Sequence, residues 1–257
     1  MKVVLLAGGL GTRMREETEF RPKPMVEVGG KPVLWHIMKT FATQGHTDFI
    51  ICAGYKGTQI KQYFYNYAAS NMDFTVKLGH QDSAVFHGSH DEFGWTVTVA
   101  DTGLETPTGG RLHRVARHLE GQPFFCTYGD GIANVDLDLP LDKHRNAGGH
   151  ATVTVAKPEG RFGVVKVGPD GTVEQFLEKP TVADPVSIGY FVFEPEVLGY
   201  LKNDSVLEDA PLQQLVTNRK LAAFEHSGFW QPMDTQREYQ LLNSLWAGGA
   251  APWKTWP

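Results

Sequence analysis

Four short stretches of the chain hold residues whose types and spacing could do chemistry. The first is "LAGGLGTRM", residues 6–14. It sets Gly8, Gly9 and Gly11 straight after an apolar run, with Thr12 and Arg13 following. Glycines let a main chain approach a ligand closely and adopt positive φ. Exposed N–H groups at such a turn, or at the N-terminus of a following helix, attract phosphate. Neither common phosphate signature fits. A Walker A loop ends in Gly-Lys-Ser/Thr, whereas Gly11 is followed by Thr12 and Arg13; a dinucleotide fingerprint from Gly9 needs glycine at position 14, which is Met14. What remains is a strand, a glycine-rich turn and a fixed cation. A tight turn without a ligand is the alternative reading.

The second stretch is "RPKPM", residues 21–25. Its prolines flank Lys23, hold the backbone extended and restrict their neighbours. A lysine held in that way is a point charge to aim at an anion; a solvated loop lysine is the alternative. The third is "YGDG", where Asp130 sits between glycines at the end of an apolar strand. A carboxylate there suits Mg²⁺, which takes few protein ligands and leaves room for phosphate oxygens, although a turn-forming Asp has the same sequence. Asp234, in "WQPMDT", is a candidate second carboxylate, or with Thr235 a cap for the following helix. The fourth is "TGGR", residues 108–111, opening a helix. Its paired glycines let the loop lie flat near a planar ligand, and Arg111 carries a fork of donors. Such a fork suits a ligand that presents paired acceptors; a plain helix start with a surface arginine is the alternative.

The elements around these stretches predict how they are placed. Residues 3–6 form a short continuous apolar run, suited to a strand covered on both faces. Residues 32–41 have apolar side chains at helical spacing, with Gly45 as a stop, and residues 48–54 form a second strand. A helix is expected over 56–67, with Ile60, Phe64 and Tyr67 on one face. An alternating strand follows at 96–103, then a helix over 110–121 and a buried strand at 123–131. Strands alternating with helices imply crossovers and a mainly parallel sheet. Beyond residue 150 the pattern reads as strands joined by short turns, with Pro169-Asp170-Gly171 a hairpin turn and helices at 211–218 and 237–247. The expected fold class is α/β: a mixed, mainly parallel sheet flanked by helices, with a small antiparallel elaboration. One domain is expected over 1–257, and the tail "APWKTWP" packs either on it or on a neighbouring subunit.

Bulk properties exclude several partners. The 257 residues carry 41% hydrophobic and 21% charged side chains, ordinary for a globular protein, and a net charge of −5 gives no reason to expect nucleic acid. No apolar stretch is long enough to span a bilayer, and the N-terminal run is too short for a signal peptide. Cys52 and Cys126 lie in apolar runs and read as buried free thiols, which points to the cytoplasm. His80, His87 and His90 share one polar stretch that reads as a mobile or interface loop rather than a metal cluster.

Taken together, "LAGGLGTRM", "RPKPMVEVGGKPVLWHIM", "TGGR", "YGDG" and "GFWQPMDT" resemble the sugar-phosphate nucleotidyltransferases, and among them the branch that uses CTP. The likeness runs from Met1 to the "PWKTW" tail. It implies a Rossmann-like, GT-A-like fold with a nucleotide half over 1–135 and a sugar-phosphate half over 136–257. It implies transfer of CMP from CTP to a sugar 1-phosphate, glucose 1-phosphate being the expected one, with Mg²⁺ as cofactor. Arg13 and Lys23 are then catalytic, Arg13 on the triphosphate and Lys23 on its α-phosphate. Leu6, Ala7, Gly8, Gly9, Gly11, Thr12, Gly110, Arg111 and Gly129 bind the nucleotide, with Arg111 at the base. Asp130 and Asp234 hold the metal. Glu178 meets sugar hydroxyls, Lys179 the sugar phosphate, and Gly189 lies on the sugar side. The resemblance also implies a homo-oligomer, up to a hexamer. One departure stands out: Ser187-Ile188-Gly189 replaces an Asn-Gly-Gly-like segment, removing an Asn and adding bulk, and this leaves the sugar open. A different NTP or sugar phosphate, and an inactive nucleotide-sugar-binding regulator of the same fold, are the rival readings.

Overall fold

A computed structural model describes residues 1–79, 83–158, 160, 163–178, 180–181 and 184–256, apart from the side chains of Arg13, Arg15 and Glu16. Seven strands form the central sheet: β1 (Lys2–Ala7), β2 (Asp48–Ala53), β3 (Thr96–Asp101), β4 (Phe124–Tyr128), β5 (Ala151–Ala156), β6 (Val186–Phe193) and β7 (Leu221–Glu225). Their order is β7-β5-β6-β4-β1-β2-β3. Only β6 runs antiparallel to its neighbours; every other pair is parallel.

The alternation of side chains along each strand divides the interior in two. Val3, Leu5 and Ala7 of β1, with Phe49 and Ile51 of β2, pack beneath α1 (Val33–Ala42), whose Val33, Leu34, Ile37, Met38 and Phe41 form the buried stripe. Val4, Leu6, Ile50, Cys52 and Cys126 face the other way, against Leu112 and Val115 of α2 (Thr108–Val115) and Leu215 of α3 (Ala210–Thr217). Because both faces are covered, the central strands read as unbroken apolar runs. Both thiols are free and buried. None of the described helices is long and apolar enough to cross a membrane.

The structure departs from the sequence reading at several points. The helix expected over 56–67 is two pieces, Gly57–Tyr65 and Tyr67–Asn71, with a break at Asn66. The break turns the Tyr67 ring onto Tyr63 and His90, at 5.4 and 5.1 Å between centroids. The antiparallel elaboration expected beyond residue 150 is present. β5 and β6, mostly buried, enter the main sheet, and the hairpin Val164–Val167/Val173–Leu177 stands apart with all of its strand residues exposed. Helix Asp138–Ala147 was not anticipated, because only Pro140, Leu141 and His144 of its ten residues are buried. Lys23 does not lie in extended chain. Lys23–Met25 form one 3-10 turn closed by Met25 N–H to Pro22 O at 2.8 Å; Pro24 fits because an N–H in a first turn has no partner to lose.

The tail packs on the chain itself. Trp253 is fully buried; its indole stacks near Phe229 and Trp246, and its Nε1–H donates to His36 Nδ1 at 3.3 Å. The opposite ring nitrogen of His36 then donates to Val28 O at 2.8 Å, so the imidazole is neutral. Nearby, the hairpin Glu27–Val28/Lys31–Pro32 turns on Gly29 and Gly30, both at positive φ, as a two-residue connection of this hand requires. Burial lowers the His36 pKa from 6.5 to about 4. A base whose folded pKa is depressed is protonated first in the unfolded chain, so its stabilising contribution is complete above pH 6.5 and is lost as pH falls toward 4. Urea unfolding from pH 7 to pH 4 is expected to lose about 3 kcal/mol through this group, and His36→Gln is expected to flatten that slope.

Candidate active site

The three glycines after β1 have three different jobs. Gly8 is buried, and a Cβ there would lie 2.0 Å from Arg111 Nη1. Gly11 has φ +64, and a Cβ would come within 2.8 Å of Thr18 Cγ2; its carbonyl accepts from Thr18 Oγ1 at 3.0 Å and from Met14 N–H at 3.1 Å. Gly9 is exposed, with nothing within 4 Å of where a Cβ would sit. Only Gly9 therefore has a glycine that the protein's own packing does not explain, and it faces the mouth of a cleft. That cleft, about 430 Å³, is lined by Leu6, Ala7, Gly8, Gly9, Gly11 and Thr12 on the β1 side and by Tyr128, Gly129 and Asp130 from the end of β4. Lys23, Pro24, Thr106, Pro107, Thr108, Arg111 and Asp234 complete it. The parallel register of β1 and β4, with Leu6 opposite Tyr128 and Gly129 N–H bonded to Leu6 O at 3.0 Å, brings the first two groups to one rim.

Opposite charges meet in this cleft. Lys23 Nζ lies 2.6 Å from Asp130 Oδ2 and also contacts Asp234 Oδ1. A two-stranded ladder makes the meeting possible: Gly131–Ala133 pairs antiparallel with Trp230–Pro232, and Met233 N–H donates to Asp130 O at 2.9 Å. Asp234 is held just before helix α4 (Gln236–Ala247), which begins with a capping box between Thr235 and Glu238. Glu238 Oε2 accepts from the N–H groups of Asp234, at 2.7 Å, and Thr235, at 2.9 Å. The cap and the carboxylate, offered by the sequence as alternatives, are both present. Burial opposes the charge on Lys23, which is 9% exposed, but the two carboxylates outweigh it and raise its pKa above the ordinary value.

The wall formed by α2 is built differently from the reading of "TGGR". Gly109 and Gly110 give close packing on residues 203–207: Gly110 N–H donates to Ser205 O at 2.9 Å, and a Cβ on Gly110 would lie 2.1 Å from Asn203 O. Gly110 does not line the cleft. Arg111 does line it, but its terminal nitrogens are directed at main-chain and hydroxyl oxygens of the protein. Tyr128 and Thr108, which the sequence reading did not single out, are joined by Glu208. The Tyr128 hydroxyl donates to Oε1, and Thr108 Oγ1 donates to Oε2 at 2.6 Å. An aromatic residue at a strand end, one position before Gly129, was the available signal for Tyr128. Gly189, at φ +79, lies against the Tyr128 ring, where a Cβ would come within 2.2 Å of Cδ2. Ile188 is buried in the core under α1, so its bulk does not enter the cleft. Glu178 stands just past the exposed hairpin and is not part of the lining. Lys179 and the side chain of Arg13 lie outside the described residues.

The donor set fits a divalent cation. Two carboxylates from distant parts of the chain converge on one positive group, and both are oxygen donors. Among the described residues no three His, Cys, Asp or Glu side chains group as a metal cage. Two carboxylates with the remaining positions left to phosphate oxygens and water are the pattern of an ion shared with a nucleotide.

Comparison with known proteins agrees with this geometry. The family model described as nucleotidyl transferase matches residues 2–233. The glucose-1-phosphate cytidylyltransferase of Salmonella typhimurium is 48% identical over 260 aligned positions, covering 100% of both chains. The probable glucose-1-phosphate cytidylyltransferase of Bacillus subtilis is 38% identical, again over 100% of both. Among solved structures, HddC from Yersinia pseudotuberculosis superposes with a TM-score of 0.66 at 19% identity, over 95% of this chain and 99% of that one, and shares the fold. The mainly parallel sheet, the glycine turn at its rim and the full-length likeness lead to one conclusion: the chain belongs to the nucleotidyl transferase family.

Proposed function

We propose that the protein transfers CMP from CTP to glucose 1-phosphate, giving CDP-glucose and pyrophosphate. The observation that carries the reading is the Lys23–Asp130–Asp234 cluster set in the glycine-turn cleft. The full-length likeness to glucose-1-phosphate cytidylyltransferases supports the choice of substrates. The attacking group, a phosphate oxygen of the sugar phosphate, is already an anion, so no general base is needed. The site must align two anions and neutralise charge. The main chain at Gly9 and Gly11 takes the triphosphate, and Lys23 moves from the carboxylates to the α-phosphate as charge develops there. Asp130 and Asp234 would hold Mg²⁺, which would supply charge neutralisation for the triphosphate. Arg13 on the leaving pyrophosphate and Lys179 on the sugar phosphate complete the proposal, as does a division into a nucleotide half over 1–135 and a sugar half over 136–257. Tyr128 packs on Gly189 and shares Glu208 with Thr108, so residues of the two proposed halves touch there.

Pyrophosphate release is expected with CTP, Mg²⁺ and glucose 1-phosphate together, and not when any one is omitted. Equal release with another NTP or another sugar 1-phosphate would replace these substrates, and none with any pair would favour a regulatory protein. Lys23→Ala is expected to lower kcat about a hundredfold, on the order of 3 kcal/mol of barrier, with the far-ultraviolet circular dichroism unchanged. Turnover within twofold of the parent would remove Lys23 from the chemistry.

A homo-oligomer is part of the reading. Val164, Val165, Val167, Val173, Phe176 and Leu177 are all exposed on one hairpin, an apolar surface of the sort that protein contacts cover. Light scattering is expected to return a multiple of 28.5 kDa, up to six copies, and a monomer at micromolar concentration would exclude it.

A further inference from the structure

Lys23 sits where an ion shared by the two aspartates would have to go. Its ammonium donates to Asp130 Oδ2 at 2.6 Å and to Asp234 Oδ1, so one positive group bridges the two carboxylates. A divalent ion joining the same oxygens needs that bridging place, and it draws its ligands closer than an ammonium does. Charge gives the same answer. Two carboxylates against one ammonium leave a single negative charge. A divalent ion added beside the ammonium would set three positive charges against two negative ones. With the ammonium gone, the same ion neutralises the pair. Access is not the obstacle: the side chains of Asp130 and Asp234 are 33% and 26% exposed, that of Lys23 is 11% exposed, and all three line the cleft.

Lys23 is also built so that its tip can move while its root stays. The 3-10 turn fixes its main chain, with Val26 N–H donating to Lys23 O at 3.1 Å. Gly11 packs on the root, where an added Cβ would lie 3.2 Å from Lys23 Cβ, and Gly129 packs on the next residue, where one would lie 3.2 Å from Pro24 Cγ. The glycine turn that the proposed function gives to the phosphates therefore lies at the foot of a flexible four-carbon stem.

We infer that Lys23 is an internal stand-in for the metal. In the free protein its ammonium keeps divalent cations off Asp130 and Asp234, and a phosphate at the glycine turn admits the ion by drawing the ammonium away. The inference rests on the reading of this cleft as a nucleotide and metal site. It adds that the two ligands are positively coupled through one side chain, and linkage makes the coupling reciprocal.

Two titrations with Mn²⁺, followed by electron paramagnetic resonance, test it. The first uses the free protein. Lys23→Met, which keeps an unbranched stem without the charge, is expected to bind the ion at least about tenfold more tightly than the parent, since a unit charge at contact range is worth that factor even at the dielectric constant of water. Adding Asp130→Asn to Lys23→Met is expected to abolish the gain. Equal or weaker binding by Lys23→Met would overturn the exclusion, as would a gain that survives Asp130→Asn. Should Lys23→Met not fold, Lys23→Gln replaces it, because its amide can still donate to a carboxylate. The second titration adds saturating CDP-glucose, which carries the α-phosphate but lacks the terminal phosphate that makes CTP a strong chelator. The nucleotide is expected to tighten Mn²⁺ binding about tenfold more in the parent than in Lys23→Met, because only the parent has an ammonium to draw away. Equal factors would overturn the hand-over. A parent that binds no CDP-glucose would count against the nucleotide reading and leave the first titration to decide the exclusion.

Discussion

A nearly buried ammonium between two carboxylates is the constraint around which the rest of this molecule is arranged. Asp130 and Asp234 would repel each other at such close range, and Lys23 would not stay charged if buried alone. Each group makes the others tolerable. Three pieces of backbone have to end at one point for this to happen: the 3-10 turn after Pro22, the turn after β4 and the cap of α4. The short ladder between Gly131–Ala133 and Trp230–Pro232 sets their relative position, and the Glu238 carboxylate fixes the main chain at Asp234. The same balance makes the cluster suited to chemistry. In the proposed reaction, phosphate oxygens and a divalent cation would exchange with the internal partners at little net cost in charge.

A second buried cation, Arg111, organises the opposite wall. Lys23 is balanced by formal charges, whereas Arg111 is balanced almost wholly by carbonyl dipoles at the carboxyl ends of three parallel strands. Parallel strands bring such carbonyls to a common edge, where ligands of open α/β sheets also bind. The glycine turn thus lies between a cation that anchors its start and a cation that waits beyond its end. Gly8 serves the first, Gly11 serves the turn itself, and Gly9 is left for whatever enters the cleft.

Much of the scaffold was legible in the residues. The apolar runs at 3–6 and 48–54, the helical stripe of 32–41 and the turn at 169–171 all lie where the pattern placed them, because each is set by local periodicity or by a residue with restricted φ. The failures are physical too. The place of β5 and β6 inside the main sheet was not legible, because periodicity carries no information on which neighbour a strand will take. Helix Asp138–Ala147 shows too few apolar positions to announce itself, being buried along only one edge. The helix expected over 56–67 breaks at Asn66, where ring packing of Tyr67 outweighs continuity.

The candidate site divides along the same line. Residue type alone determined that a glycine turn, a proline-flanked lysine and two isolated aspartates were available for anions and a cation, since those chemistries belong to the side chains. Tertiary structure decided that Lys23 faces both aspartates, that the "TGGR" glycines serve helix packing, and that Arg111 spends its donors on the backbone. Those outcomes depend on which oxygens lie within about 3 Å once distant segments meet, a distance that hydrogen bonding demands and that sequence spacing does not encode.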